Sequence, residues 1–157
     1  VSTMVLLPLV REHVSVPIIA AGGINDGATM AAAFALGAEG VQMGTQMVAS
    51  AESPVHENWK NAILNAHETD TLFLNQKHSP ALRALRTERS ERLLDSSENV
   101  FGEFGNPMDL YFGGDMEAAI ALSGQVAGRI SKIRTVQEII SETVDEFSKT
   151  IERLSAK

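Results

Sequence analysis

The chain has no cysteine. That excludes disulfides, cysteine-ligated metal and a cysteine nucleophile. Positive charge is scarce: 13 Lys and Arg stand against 20 Asp and Glu, a net charge of -7. This balance argues against general nucleic-acid binding, which depends on neutralising phosphates. No apolar run reaches the ~18 residues that suggest a membrane span. Val1 to Val10 is apolar, but it is short and lacks the positive flank of a signal peptide. A cytoplasmic location is therefore the default expectation. Aromatic residues are few, with one Trp and one Tyr. The histidines are His13, His56, His67 and His78, and no two share a helix face at metal-ligand spacing. Each reads most simply as a surface or helix-end residue. At 157 residues the chain fits one domain by length.

What is present is organised around Val16-Pro17-Ile18-Ile19-Ala20-Ala21-Gly22-Gly23-Ile24-Asn25-Asp26-Gly27. Its first half is a short apolar run, as in a fully buried strand. Two glycines follow, and then the Ala-rich run Ala28 to Leu36, which Asn25 or Asp26 can cap as a helix. Gly37 closes that helix. Val41-Gln42-Met43 is a second buried strand, and it too ends on small residues, Gly44-Thr45. The pattern is a βαβ unit with parallel strands, so both turns reach the same sheet edge. Glycine lets a ligand approach the backbone, and amides at a helix N-terminus favour an anion. Two such turns side by side can share one phosphate. In eight-stranded α/β barrels that site commonly follows strands seven and eight. The bland alternative is that Gly22-Gly23 is only a tight turn.

The run from Ile18 to Ile24 with Asp26-Gly27, and the run from Ala31 to Thr45, closely resemble the nitronate monooxygenase family. These enzymes were formerly called 2-nitropropane dioxygenases. The same residues resemble a close relative, the flavin-dependent enoyl-acyl-carrier-protein reductases. The match is dense from Val16 to Asn65 and looser beyond. The resemblance implies an α/β fold, the C-terminal part of a TIM (β/α)8 barrel with an FMN phosphate site. It implies FMN as cofactor, held by the backbones of Gly22, Gly23, Met43, Gly44 and Thr45, with Gln42 nearby. It implies a small-molecule substrate, either an alkyl nitronate oxidised with dioxygen or an enoyl thioester. The family's catalytic base is a histidine in a Gly-Gly-His motif ahead of the helix that opens this chain. No Gly-Gly-His occurs here, so no catalytic residue is assigned, and a non-catalytic truncated fragment stands as a further alternative to the two activities. A barrel typically runs ~250 residues. Residues 1–157 are thus expected to be the C-terminal portion of a single barrel domain. Its strand at Val16 would leave an unpaired edge through which chains can self-associate.

The remaining chain carries weaker signals. Thr3 to His13 reads as a helix before the core strand, and Gln46 to Ala49 as a short helical turn. Ser53 and Pro54 can start an amphipathic helix reaching Ala66, with Trp59 in the core. Asp70 to Leu74 reads as a strand. Pro80 opens a helical segment, Ala81 to Leu94, in which Arg83, Arg86, Arg89 and Arg92 recur every three residues. That stripe is a solvated face, or it meets an acidic partner such as an acyl carrier protein. Asp95 to Gly114 is irregular yet apolar, so it either packs on the barrel or walls the flavin and substrate. Asp115 can cap a helix whose apolar face is Met116, Ala119, Ile120, Ser123, Ala127 and Ile130. Ser123 to Gly128 resembles an Ala-Gly-Gln-x-Ala-Gly element that packs near the flavin in the family, which makes Gln125 a pocket candidate beside the plainer reading of a buried helix. Thr135-Val136-Gln137-Glu138 is a capping box opening a long amphipathic helix to Leu154. That helix would cover the outside of the barrel.

Overall fold

A computed structural model describes residues 1–156. In chain order its elements are α1 (Thr3–Arg11), β1 (Ile19–Ala21), α2 (Gly27–Ala35), β2 (Gly40–Gln42), α3 (Thr45–Val48) and α4 (Glu57–Leu64). There follow β3 (Thr71–Leu74), β4 (Leu82–Leu85), α5 (Glu88–Leu93), α6 (Pro107–Tyr111) and α7 (Val136–Ser155). Short 3-10 turns cover Val100–Glu103 and Gln125–Arg129. The chain divides into two units. One joins Val1–Gly44 to the chain from Arg134 onward, and the other is Thr45–Ile133. Among the described residues no helix is long and apolar enough to cross a membrane.

The first unit is the βαβ unit that the glycine pattern predicts. β1 and β2 pair in parallel, with Ile19 opposite Gly40 and Ala21 opposite Gln42. Asp26 caps the intervening helix: its Oδ1 accepts the Thr29 amide at 2.8 Å, and Thr29 Oγ1 accepts the Asp26 amide in return. Gly37 ends the helix region at φ 101°, a left-handed conformation that favours glycine. Ile18, Ala20, Ile24, Ala33, Ala38 and Leu7 form the core between the strands and α1 and α2.

α7 packs along α2, and one glycine permits the approach. A Cβ on Gly27 would run into the α7 backbone at Thr143, Glu146 and Phe147. Phe34 and Phe147 meet edge to face 5.2 Å apart. Ile139, Thr143 and Thr150 are the buried face of α7. The predicted capping box is present: the Thr135 side chain accepts the Glu138 amide at 3.1 Å, and Glu138 Oε2 accepts the Thr135 amide at 2.8 Å. Thr135→Ala is expected to destabilise the chain by about 1 kcal/mol, the usual worth of such a cap, read by chemical denaturation.

The second unit departs from the sequence reading in two places. Ala81 to Leu94 is not one helical segment. Leu82–Leu85 is strand β4, antiparallel to β3, with Phe73 opposite Arg83. An apolar run this short carries no decisive period, and the cross-strand pairing decides it. The arginine stripe dissolves with the helix. Arg83 lies with its guanidinium 5.4 Å from the Phe73 ring and donates to Thr71. Arg86 pairs with Glu91, and Arg89 donates to the Glu117 and Glu103 carbonyls. Only Glu88–Leu93 is helical, capped by Thr87.

The expected helix from Asp115 is also absent. Asp115 does open a turn, accepting the Glu117 amide, but the next residues run extended. Ala119 bridges to Gly105 and Leu122 to Ala84. Glycine at 105 permits this approach, since a Cβ there would strike the Ala118 carbonyl. Helix α4 begins later than expected, with His56 as its cap: Nδ1 accepts the Asn58 amide at 3.1 Å. Trp59 is buried in the core as expected, stacked on Tyr111 at 5.0 Å.

Candidate cofactor site

In-register parallel pairing fixes where the two glycine turns emerge. Gly22 follows Ala21 and Met43 follows Gln42, and those two strand ends lie opposite each other. Gly22 and Gly23 adopt φ 93° and 81°, so the turn needs residues without a Cβ. Thr3 ties this turn to α1, its hydroxyl donating to the Gly22 carbonyl at 3.0 Å.

The space over the turns is open. A Cβ on Gly44 would meet nothing within 4 Å. On Gly22 or Gly23 it would meet only the Thr3 hydroxyl, at 3.9 and 4.0 Å. Chain packing therefore does not require glycine at position 44. Neither the Gly23 nor the Gly44 amide donates to a group among the described residues. Gly22, Gly23, Gln42 and Gly44 are exposed and Met43 is half-buried. Thr45 is the first residue of the second unit, where its Oγ1 accepts the Gly124 amide at 2.8 Å. The buried Asn25, two residues beyond the glycine pair, has its side-chain oxygen without a partner. Open glycines with unspent amides fit an anion such as a phosphate.

The N-terminus of α2 does not offer its first turn freely to a ligand. The Gly27 amide donates to Glu146 Oε2 at 3.0 Å, and the Thr29 amide to Asp26. Two carboxylates already satisfy the positive end of the helix dipole. An anion here would rest on the strand-end amides instead. Glu146 carries no local signal in the sequence, being 119 residues from Gly27.

The other candidates are placed as follows. Gln125 is exposed and opens a 3-10 turn rather than lying in a helix. In the Asp95 to Gly114 segment Val100 and Leu110 are buried, while Phe101, Met108 and Phe112 are largely exposed. His13 Nδ1 lies 2.8 Å from the Leu9 carbonyl, and His78 Nε2 lies 2.9 Å from the Ser97 carbonyl. No cluster of three or more metal-ligating side chains occurs among the described residues.

Residues 1–146 match the family model described as nitronate monooxygenase. The chain belongs to that family. It is 37% identical over 100 residues to a probable nitronate monooxygenase of Staphylococcus haemolyticus, covering 64% of this chain and 28% of the relative. A Staphylococcus aureus relative of the same description is 50% identical over 73 residues, 46% of this chain and 21% of its own. Among solved structures, FabK from Thermotoga maritima superposes with a TM-score of 0.87 at 41% identity, over 99% of this chain and 52% of that one. A nitroalkane oxidase from Streptomyces ansochromogenes superposes at 0.76 with 23% identity, over 98% and 46%, a likeness of fold alone. The chain thus spans about half of the solved structures and a smaller share of the curated relatives.

Proposed function

We propose that this chain is the C-terminal portion of a single FMN-binding α/β barrel domain in a nitronate monooxygenase. The observation that carries the reading is the pair of open glycine turns at one parallel strand edge, with unspent amides at Gly23 and Gly44. These amides, with the backbones of Gly22, Met43 and Thr45, would hold the FMN phosphate, and Gln42 would stand beside it. Bound flavin would supply the electron transfer. The residues here bind and orient; they include no assigned base. Amide shifts of Gly23 and Gly44 on titration with FMN test the site. Both should move with FMN, and neither with riboflavin, which lacks the phosphate. Movement with both ligands, or with neither, removes the phosphate assignment.

A second reading is an enoyl reductase. It is favoured by the 41% identity to FabK along nearly the whole chain, against 23% to the nitroalkane oxidase. In the nitronate reading the substrate is a small alkyl nitronate; in the other it is an enoyl thioester. Neither reaction is expected of the chain by itself. Purified chain with added FMN should turn over neither propionate 3-nitronate nor crotonyl thioester. Turnover at an ordinary enzymatic rate, on the order of 1 per second or more, would place the catalytic base inside these residues.

A further inference from the structure

Thr3 opens α1, yet its hydroxyl is not spent on that helix. It donates instead to the Gly22 carbonyl at 3.0 Å. Among the described residues it is the one group bonded to that carbonyl. The carbonyl shares a peptide unit with the Gly23 amide. This peptide is trans, so its N–H points opposite to its C=O. A donor that holds the carbonyl toward α1 therefore turns the Gly23 amide away from α1. A bond at the carbonyl also polarises the peptide and makes its N–H a stronger donor.

Such a hold matters because little else fixes this peptide plane. β1 and its pairing with β2 end at Ala21. Glycine takes φ of either sign at small cost, and here two glycines stand in a row at φ 93° and 81°. The peptide between them can flip by a concerted change in Gly22 ψ and Gly23 φ. Packing does not prevent it: a Cβ on either glycine would have only the Thr3 hydroxyl within 4 Å. The flipped peptide would present an oxygen on the open side of the turn, where an anion needs a donor. We propose that Thr3 is a positioning residue of the anion site. Its hydroxyl locks the Gly22–Gly23 peptide with the Gly23 N–H facing the phosphate. This rests on the cofactor reading above and adds to it a residue that acts through the turn without touching the ligand.

Isotope-labelled parent, Thr3→Val and Thr3→Ser test it by nuclear magnetic resonance. Val keeps the shape of Thr and removes the hydroxyl; Ser keeps the hydroxyl. In the free chain, Thr3→Val should shift the Gly23 amide nitrogen and change the Overhauser contact between the Gly22 α-protons and the Gly23 amide proton. The Gly44 amide, which lies on another peptide, should stay in place, and Thr3→Ser should resemble the parent. On titration with FMN, Thr3→Val should bind about tenfold more weakly, the upper end of what one neutral hydrogen bond contributes, and Thr3→Ser within about twofold of the parent. Inorganic phosphate, which shares only the anion with FMN, should give the same ranking. The proposal is overturned if Thr3→Val binds FMN as well as the parent, if Thr3→Ser loses as much as Thr3→Val, or if the Gly23 nitrogen does not move in free Thr3→Val. In each of these cases the cofactor reading survives so long as FMN still moves the Gly23 and Gly44 amides of the parent. If FMN moves neither amide in the parent, the anion site itself falls and takes this role of Thr3 with it.

Discussion

Gly23→Asp is expected to lower the affinity for FMN by on the order of a thousandfold, since like charges about 4 Å apart cost about 4 kcal/mol at an intermediate dielectric. The new carboxylate would stand where the phosphate is proposed to sit, at an open position with no neighbouring cation assigned to it. Backbone strain is a competing explanation, because Gly23 has φ 81°. Gly23→Asn separates the two. Asn has nearly the shape of Asp, tolerates the left-handed region comparably and carries no charge. It should cost a small fraction of the Asp effect. Titration of FMN followed by flavin fluorescence, with both variants at one ionic strength, gives the comparison. Equal losses for Asn and Asp would assign the effect to the turn and remove the phosphate.

The parts of the fold that the sequence discloses are those decided by neighbours along the chain. Asp26 with Thr29, and Thr135 with Glu138, are local capping pairs, so α2 and α7 can be placed to within a residue or two. The two strands of the first unit are flanked by glycines whose backbone demands are also local. β4 and the extended run at 118–122 are different. Their backbone partners, at Thr71–Leu74 and at Ala84 and Gly105, lie outside the helical window of three or four residues, and pairing overrides the helical look of Arg-Ala-Leu-Arg and of an Ala-rich stretch. The candidate site divides in the same way. The glycine turns and their common edge follow from the βαβ pattern. The occupation of the α2 N-terminus by Glu146 does not, because it depends on where α7 crosses.

That crossing makes the strongest stability prediction. Gly27 is the point where α2 and α7 touch backbone to backbone, and a methyl group there has no room. The obstacle is main chain at Thr143, Glu146 and Phe147, which cannot swing aside like the end of a flexible side chain. Gly27→Ala must push the helices apart, loosening the Phe34–Phe147 contact and lengthening the bond from the Gly27 amide to Glu146. Overpacking of this kind costs about 3 kcal/mol. In a chain of this size that corresponds to a fall of roughly 6–12 °C in Tm. Glu146→Gln keeps the shape and weakens the capping interaction, at a cost of about 1 kcal/mol. The double variant should cost less than the sum, because the displaced helix has already lost that contact. Gly44→Ala is the counter-case: its Cβ would enter open space, so stability should stay within about 0.5 kcal/mol of the parent. Thermal and denaturant melts of the parent and the four variants under one buffer measure all of this. If Gly27→Ala melts with the parent, the two helices do not cross as closely as described, and Glu146 is then not the group that closes the N-terminus of α2.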